Sequence, residues 1–197
     1  NVQQMFADLP DLRGALTLSD GHIYSLPNGD ADVKNEINNE LWINKAWLEK
    51  LGMEMPTNVD EFYNVLVAFR DGDPNGNGLK DEIPLLVSSS TVAAKLDNLF
   101  GFFGTTDNDY HVRVQDGKVI FTPSEEAYFE GLKFLHMLYE EGLINQEYYT
   151  EDGSQYLAKG NMDPCIVGVT LEWYIDNIIL ASYVPDFTYI PPMEGKN

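Results

Sequence analysis

Ten consecutive residues, Asp73-Pro74-Asn75-Gly76-Asn77-Gly78-Leu79-Lys80-Asp81-Glu82, combine five oxygen-bearing side chains with two glycines. Asp73, Asn75 and Asn77 alternate, so their side chains converge if the backbone curls. Gly76 and Gly78 permit the curl, because glycine takes positive φ without penalty. Hard cations such as Ca²⁺ take about six to eight oxygen ligands from a flexible loop. Begun at Asp71, the stretch matches the calcium-loop pattern D-x-[DN]-x-[DN]-G-x5-E through to Glu82. Such a loop is normally followed by a helix, yet Ile83-Pro84 and the β-prone Leu85-Leu86-Val87 come next. A tighter register fits better: Asp73, Asn75, Asn77, the Leu79 carbonyl, Asp81 and Glu82 around one structural Ca²⁺. The competing interpretation is a solvated acidic turn without an ion.

Aromatic residues are the second chemical signal. Three tryptophans and eleven tyrosines supply flat faces edged by polar groups, which suit sugar rings. Trp173-Tyr174 follows Thr170-Leu171-Glu172 and a strand-like run, placing the pair at a strand's carboxyl end, where open α/β sheets bind ligands. Core packing is the alternative for Trp173 and the preferred explanation for Trp42 and Trp47.

Enzymatic signatures are absent from the sequence: there is no Gly-x-Ser-x-Gly, P-loop, His-Glu-x-x-His or dinucleotide fingerprint. His22, His111 and His136 are far apart, and His136 falls among helical residues as an interface histidine. A carboxylate pair including Glu172 could serve a glycosidase, but with 32 acids some pair always fits. The single cysteine, Cys165, lies in an apolar run, so no disulfide forms within the chain and the thiol reads as a buried hydrophobe. A net charge of −20 argues against nucleic acid and anionic membrane as partners.

These residues need elements to hold them. The sequence predicts helical pieces over residues 2–18 broken at Pro10, a strand at 22–26 ended by Pro27, and a polar loop at 28–39. It predicts a strand at 41–43, a helix at 45–51 capped by Gly52, and a helix entered through Thr57-Asn58-Val59-Asp60 with Phe62, Leu66 and Phe69 inward. Beyond the loop come a strand at 83–87, a helix at 92–103, and a hairpin of 110–114 with 118–121 around Asp116-Gly117. Thr122-Pro123-Ser124-Glu125 reads as a capping box opening a helix to Glu141, with Tyr128, Leu132, Leu135 and Tyr139 on its inner face. A short helix at 155–159, a strand at 165–169, a helix at 171–181 and a strand at 187–190 complete the alternation, which means α/β. The 44% hydrophobic content of 197 residues sustains a core. Neither a signal peptide nor a membrane span is read, and the termini suggest a segment of a longer protein.

Taken in order, the pieces resemble the extracellular solute-binding proteins of ABC transporters, sugar-binding family 1. The resemblance is carried by Gly21-His22-Ile23-Tyr24-Ser25-Leu26-Pro27, by Leu41-Trp42-Ile43 with Asn44 to Gly52, by Pro56-Thr57-Asn58-Val59-Asp60-Glu61-Phe62 and by the cation loop. His22 and Val59 replace a lysine and a tryptophan common in that family. The resemblance implies a periplasmic-binding-protein-like (type II) lobe, a mixed sheet flanked by helices. Residues 1–40 would be an incomplete first-lobe and hinge segment, 41–191 the second lobe, and 192–197 a return toward the hinge. It implies that Glu172, Trp173 and Tyr174, with Phe103 and Tyr110 at the ends of a loop, face an oligosaccharide. It further implies a calcium-stabilised, monomeric component of an importer, delivering sugar to membrane permease subunits and performing no chemistry. The full-length parent would be an extracellular, membrane-anchored lipoprotein or a periplasmic protein. Alternatives are a calcium-stabilised carbohydrate-interaction module outside transport, or a glycoside hydrolase.

Overall fold

The computed structural model describes residues 2–26 and 40–196. Pro27, the loop expected at 28–39 and the junction near residue 40 lie outside or at the edge of them. The chain divides into two compact units, Asn1–Ile37 and Asn38–Asn197.

In the first unit, α1 (Val2–Asp8) and α2 (Pro10–Leu16) are separated where Pro10 takes the first position of the second helix. No strand forms at 22–26. Among the described residues they have no ladder partner, and His22 instead closes a turn, its carbonyl accepting from the Leu18 N–H and its own N–H donating to Asp20 Oδ1.

The second unit is built on β1 (Glu40–Asn44), β2 (Ile83–Leu86), β5 (Val167–Glu172) and β6 (Phe187–Tyr189), ordered β2-β5-β1-β6. The sheet is mixed: β2 runs parallel to β5, while β1 is antiparallel to both β5 and β6. A separate hairpin pairs β3 (Val112–Gln115) with β4 (Lys118–Phe121). Asp116 and Gly117, at φ 52° and 71°, make its two-residue turn, as the sequence requires.

Helices α3 (Lys45–Leu51), α4 (Val59–Asp71) and α5 (Glu126–Glu140) pack through Trp47, Phe62, Leu66, Phe69, Phe134 and Leu138 against one core. A second core gathers Leu86, Val167, Ile178 and Phe187 with Tyr156 of α6 (Gly153–Gly160). Alternation along β1 and β2 divides the cores, Ile43 and Leu85 joining the first, Trp42 and Leu86 the second. Cys165 is buried, and burial pushes its thiol up to about 11, which suits a hydrophobe rather than a nucleophile.

Several helix starts differ from the sequence pattern. Asn58, not Thr57, caps α4 by accepting from the Glu61 N–H, and Glu61 reaches back to the Thr57 N–H and hydroxyl. At Thr122–Glu125 no capping box forms. Thr122–Ser124 is a 3-10 turn, and the Glu125 carboxylate is engaged by Arg113 and Thr105. The complete capping box is at Asp152 and Gln155, ahead of α6.

Two expected α-helices are replaced. Residues 92–103 form 3-10 segments, Val92–Ala94 and Leu96–Phe103, broken at extended Lys95. The Leu96 N–H donates to the Tyr148 hydroxyl instead of a preceding carbonyl. Residues 171–181 do not form a helix, because Leu171 and Glu172 continue β5 opposite Leu41 and Glu40. Only Ile175–Asn177 coils, as a 3-10 turn. The final residues pack on this unit, Glu194 and Lys196 donating backbone N–H groups to Thr57 and Phe102 carbonyls.

Candidate functional site

The cation loop joins α4 to β2. Asp73, Gly76 and Gly78 all have positive φ, at 46°, 76° and 76°. The Asp73 carboxylate accepts from the N–H groups of Gly76 and Gly78. Asn75 Oδ1 accepts from Asn77 N–H and Asn77 Oδ1 from Leu79 N–H. Both asparagine amides donate to Asp81. Asp71 is drawn away, bound through both carboxylate oxygens by Arg70. Lys50 in the last turn of α3 donates to the Pro74 carbonyl at 2.7 Å, and a Cβ on Gly76 would lie 2.7 Å from that ammonium.

Glu82 distinguishes this loop from a plain acidic turn. Its Oε1 is buried without a hydrogen-bond partner among the described residues. Burial pushes its carboxyl above the ordinary value, and the charges of Asp81 and Asp73 push in the same direction. An orphaned buried carboxylate oxygen beside two further acids fits a cation. Among the described residues no three His, Cys, Asp or Glu side chains by themselves form a metal-holding group. A full ligand shell would therefore need the amide and carbonyl oxygens of Asn75, Asn77 and Leu79 as well.

Trp173 and Tyr174 directly follow β5, and both are exposed, Trp173 by 46%. Glu172 is turned inward. Its Oε1 accepts from the Trp173 N–H at 2.9 Å and from the Asn177 amide, while its carbonyl accepts from Trp42 Nε1. These bonds tie the start of the Trp173 segment to the end of β5. Trp47 lies in the core, edge-on to Phe69.

Phe103 is corrected outright: it is buried against Phe134, because the 3-10 segment turns its apolar face to α5. Tyr110, at the other end of that loop, is 83% exposed. The loop between them is anchored by Asp107, whose side chain is buried and accepts from Thr122 Oγ1 and contacts His111 Nδ1 at 2.8 Å. Burial alone would raise the Asp107 carboxyl, but these hydrogen bonds outweigh it and hold it below the ordinary value.

A cleft of about 540 Å³ opens beside this loop, between the 3-10 segment at 96–103, α5 and residues 148–149. Glu172, Trp173, Tyr174, Phe103 and Tyr110 do not line it. Tyr128, Leu132, Leu135 and Tyr139 do. The stripe expected to face the core does so in part: Leu135 and Tyr139 pack against the core while also walling the cleft, Tyr128 stacks on buried Phe100, Leu132 is exposed, and Gly131, Phe134 and Leu138 are the buried positions. The two stripes are adjacent on one helix, and periodicity alone does not say how deeply each is covered. His136 also lines the cleft; it is exposed and 3.3 Å from Glu140, not an interface histidine.

A mixed sheet with helices and cores on both faces, bearing exposed aromatics at the carboxyl end of its parallel pair, is a lobe of the periplasmic-binding-protein-like kind. Close homologues of the chain are sugar-binding substrate-binding proteins of ABC transporters. It is 41% identical over 204 residues to the fructooligosaccharide ABC transporter substrate-binding protein FusA of Streptococcus pneumoniae, a match covering 100% of this chain and 37% of FusA. It is 36% identical over 129 residues to the lipoprotein LipO of Bacillus subtilis, covering 64% of this chain and 24% of LipO. The solved structure of FusA in complex with kestose matches 98% of this chain and 40% of that one, at 39% identity and a TM-score of 0.82. An EF-hand mutant of FusA in complex with fructo-nystose matches with the same coverages, at 38% identity and a TM-score of 0.83. An extracellular solute-binding protein from Bifidobacterium longum subsp. infantis matches 100% of this chain and 42% of that one, at 30% identity and a TM-score of 0.84. No family model matches the chain. The chain thus spans well under half the length of these relatives, which are binding proteins rather than enzymes.

Proposed function

We propose that this chain is the second lobe of the substrate-binding component of an ABC importer, which encloses an oligosaccharide between two lobes and presents it to the permease. The observation that carries the reading is the match of 98% of the chain to FusA in complex with kestose, at a TM-score of 0.82 and 39% identity. Fructo-oligosaccharides are accordingly the first ligands to test. Exposed Trp173 at the end of β5 supports it locally: the indole offers a sugar ring a flat apolar face. Lobe closure around the ligand is the signal a permease reads. The protein works as a monomer and performs no chemistry, in keeping with relatives that bind rather than convert their ligands. Kinship with a lipoprotein favours an extracellular, membrane-anchored or periplasmic setting.

We further infer that the 73–82 loop holds one structural Ca²⁺. Asp73, Asn75, Asn77, Asp81, Glu82 and the Leu79 carbonyl would hold it. A bound dication supplies positive charge at the centre of an acidic loop and fixes the connection between α4 and β2. The orphaned Oε1 of Glu82 and the existence of an EF-hand mutant of FusA both support this.

The test is titration calorimetry of the two-lobed polypeptide containing this chain, with kestose as ligand, with and without calcium. Saturable binding without turnover of the sugar is expected. Hydrolysis products, or no binding across a series of fructo-oligosaccharides and other oligosaccharides, would overturn the reading.

A further inference from the structure

We propose that the cleft lined by Tyr139, Tyr149 and Asp97 is a carbohydrate subsite separate from the Trp173 rim. This inference rests on the carbohydrate-binding reading above. The first observation is the cleft itself: about 540 Å³, in the size range of small-molecule sites. The second is its wall. Leu132, 44% exposed, lines the cleft from α5, and Leu135 and Tyr139, partly buried against the core, line it from the same helix. Tyr139 and Tyr149 meet at 6.5 Å and 60°, and Tyr149 is 75% exposed. A sugar's C–H face can stack there.

The polar groups point the same way. Most are already occupied within the protein. Lys95 is paired with Asp109, and Asp107 is engaged by Thr122 and His111. The Tyr148 hydroxyl accepts from Leu96, and the Tyr139 hydroxyl donates to the Gln146 carbonyl. Asp97 differs. Among the described residues its half-buried carboxylate receives only backbone hydrogen bonds, and burial, then the like charge of Asp107, pushes its carboxyl above the ordinary value against the pull of Lys95. A partly desolvated acceptor lining the same cleft as these aromatic rings matches hydroxyl donors of a sugar.

The cleft also has the correct placement for a shared ligand. In the parallel ladder Leu86 is opposite Thr170. Ser89, which lines the cleft, comes three residues after Leu86, as Trp173 does after Thr170. Both lie beyond the same end of the sheet, so one oligosaccharide can reach from Trp173 into the cleft.

Nuclear magnetic resonance of the two-lobed polypeptide containing this chain, labelled and titrated with kestose, tests this. Shifts are expected at Asp97, Tyr139 and Tyr149 together with Trp173. Tyr149→Ala and Asp97→Asn should each weaken the apparent affinity about tenfold, taking loss of one anchoring contact as guide. Exposed Tyr149 and the isosteric Asp97→Asn change should both leave the melting temperature near that of the unaltered chain. Kestose shifts confined to Trp173 and its neighbours, with both variants unaffected, would overturn the subsite and leave the carbohydrate reading standing. Cleft shifts with spermidine but none with kestose would overturn it in favour of a cation site. An absence of shifts at both places would remove the carbohydrate reading and the subsite with it.

Discussion

The Asn77 amide donates to both carboxylate oxygens of Asp81, at 3.2 and 2.9 Å. Two weak N–H dipoles occupy the position facing the acid at the loop's centre, while Glu82 Oε1 behind it has no partner among the described residues. Rotation of the Asn75 and Asn77 amides would present oxygen instead, which is what a Ca²⁺-bound loop requires.

Calcium should therefore raise the melting temperature, since it binds the folded and not the unfolded chain. Asp81→Ala should lower calcium-saturated stability by about 1–3 kcal/mol, the loss of a part-buried, hydrogen-bonded group. Asp116→Asn should change little, because asparagine tolerates the positive φ of that hairpin turn. Thermal melts with calcium and with chelator check this; equal effects of the two substitutions would reduce the loop to a turn.

Asp107 gives a pH dependence of defined sign. Its folded pKa lies below the ordinary 3.8. The stabilisation from its bonds to Thr122 and His111 is therefore fully present above the unfolded value and is lost as pH falls through the folded one. Asp107→Asn should lower stability at neutral pH by about 1–3 kcal/mol and flatten the fall below pH 3.8. Denaturant melts across the acid range, read as the difference between the two proteins, test this. Parallel profiles would refute it.

Trp173→Ala in the two-lobed polypeptide should weaken sugar binding by about 1–3 kcal/mol, the loss of an aromatic anchor. Calcium binding should be unaffected, since the loop is a separate set of ligands. One lobe supplies about half the contacts, while most of the cost of immobilising the ligand remains. Binding by this chain alone should thus fall in the millimolar range; micromolar affinity by calorimetry would contradict the half-cleft picture.

Gly168→Ala should destabilise by about 1–3 kcal/mol through overpacking. Its added Cβ would lie 2.3 Å from Phe69 Cδ2 and 2.9 Å from the Pro84 carbonyl oxygen. Gly117→Ala, with open space but a φ of 71°, is a control for backbone strain alone. Chemical denaturation of both variants separates sterics from strain.

Local chemistry alone determines a good part of this protein. Asn44 and Gly52 bracket α3 because a side-chain acceptor starts a helix and a left-handed residue ends it. The Asp116-Gly117 turn and the curl at Gly76 and Gly78 follow from positive φ in the same way. The α/β class follows from alternating elements. Trp173 stands at a strand's end, as its position just after an apolar run requires.

Tertiary structure decided what pairing and burial control. The apolar spacing of residues 171–181 reads as helix, but antiparallel pairing with β1 captured Leu171 and Glu172 as strand. Glu125 was drawn from a helix cap by Arg113, and Leu96 from an α-helical bond by the Tyr148 hydroxyl. How deeply each residue of α5 is buried depended on where Phe100 and Phe103 packed, against Tyr128 and Phe134. A sequence specifies the groups a residue can offer and its local backbone preference. Which partner is present to accept them depends on residues dozens of positions away, and only the assembled fold brings those together.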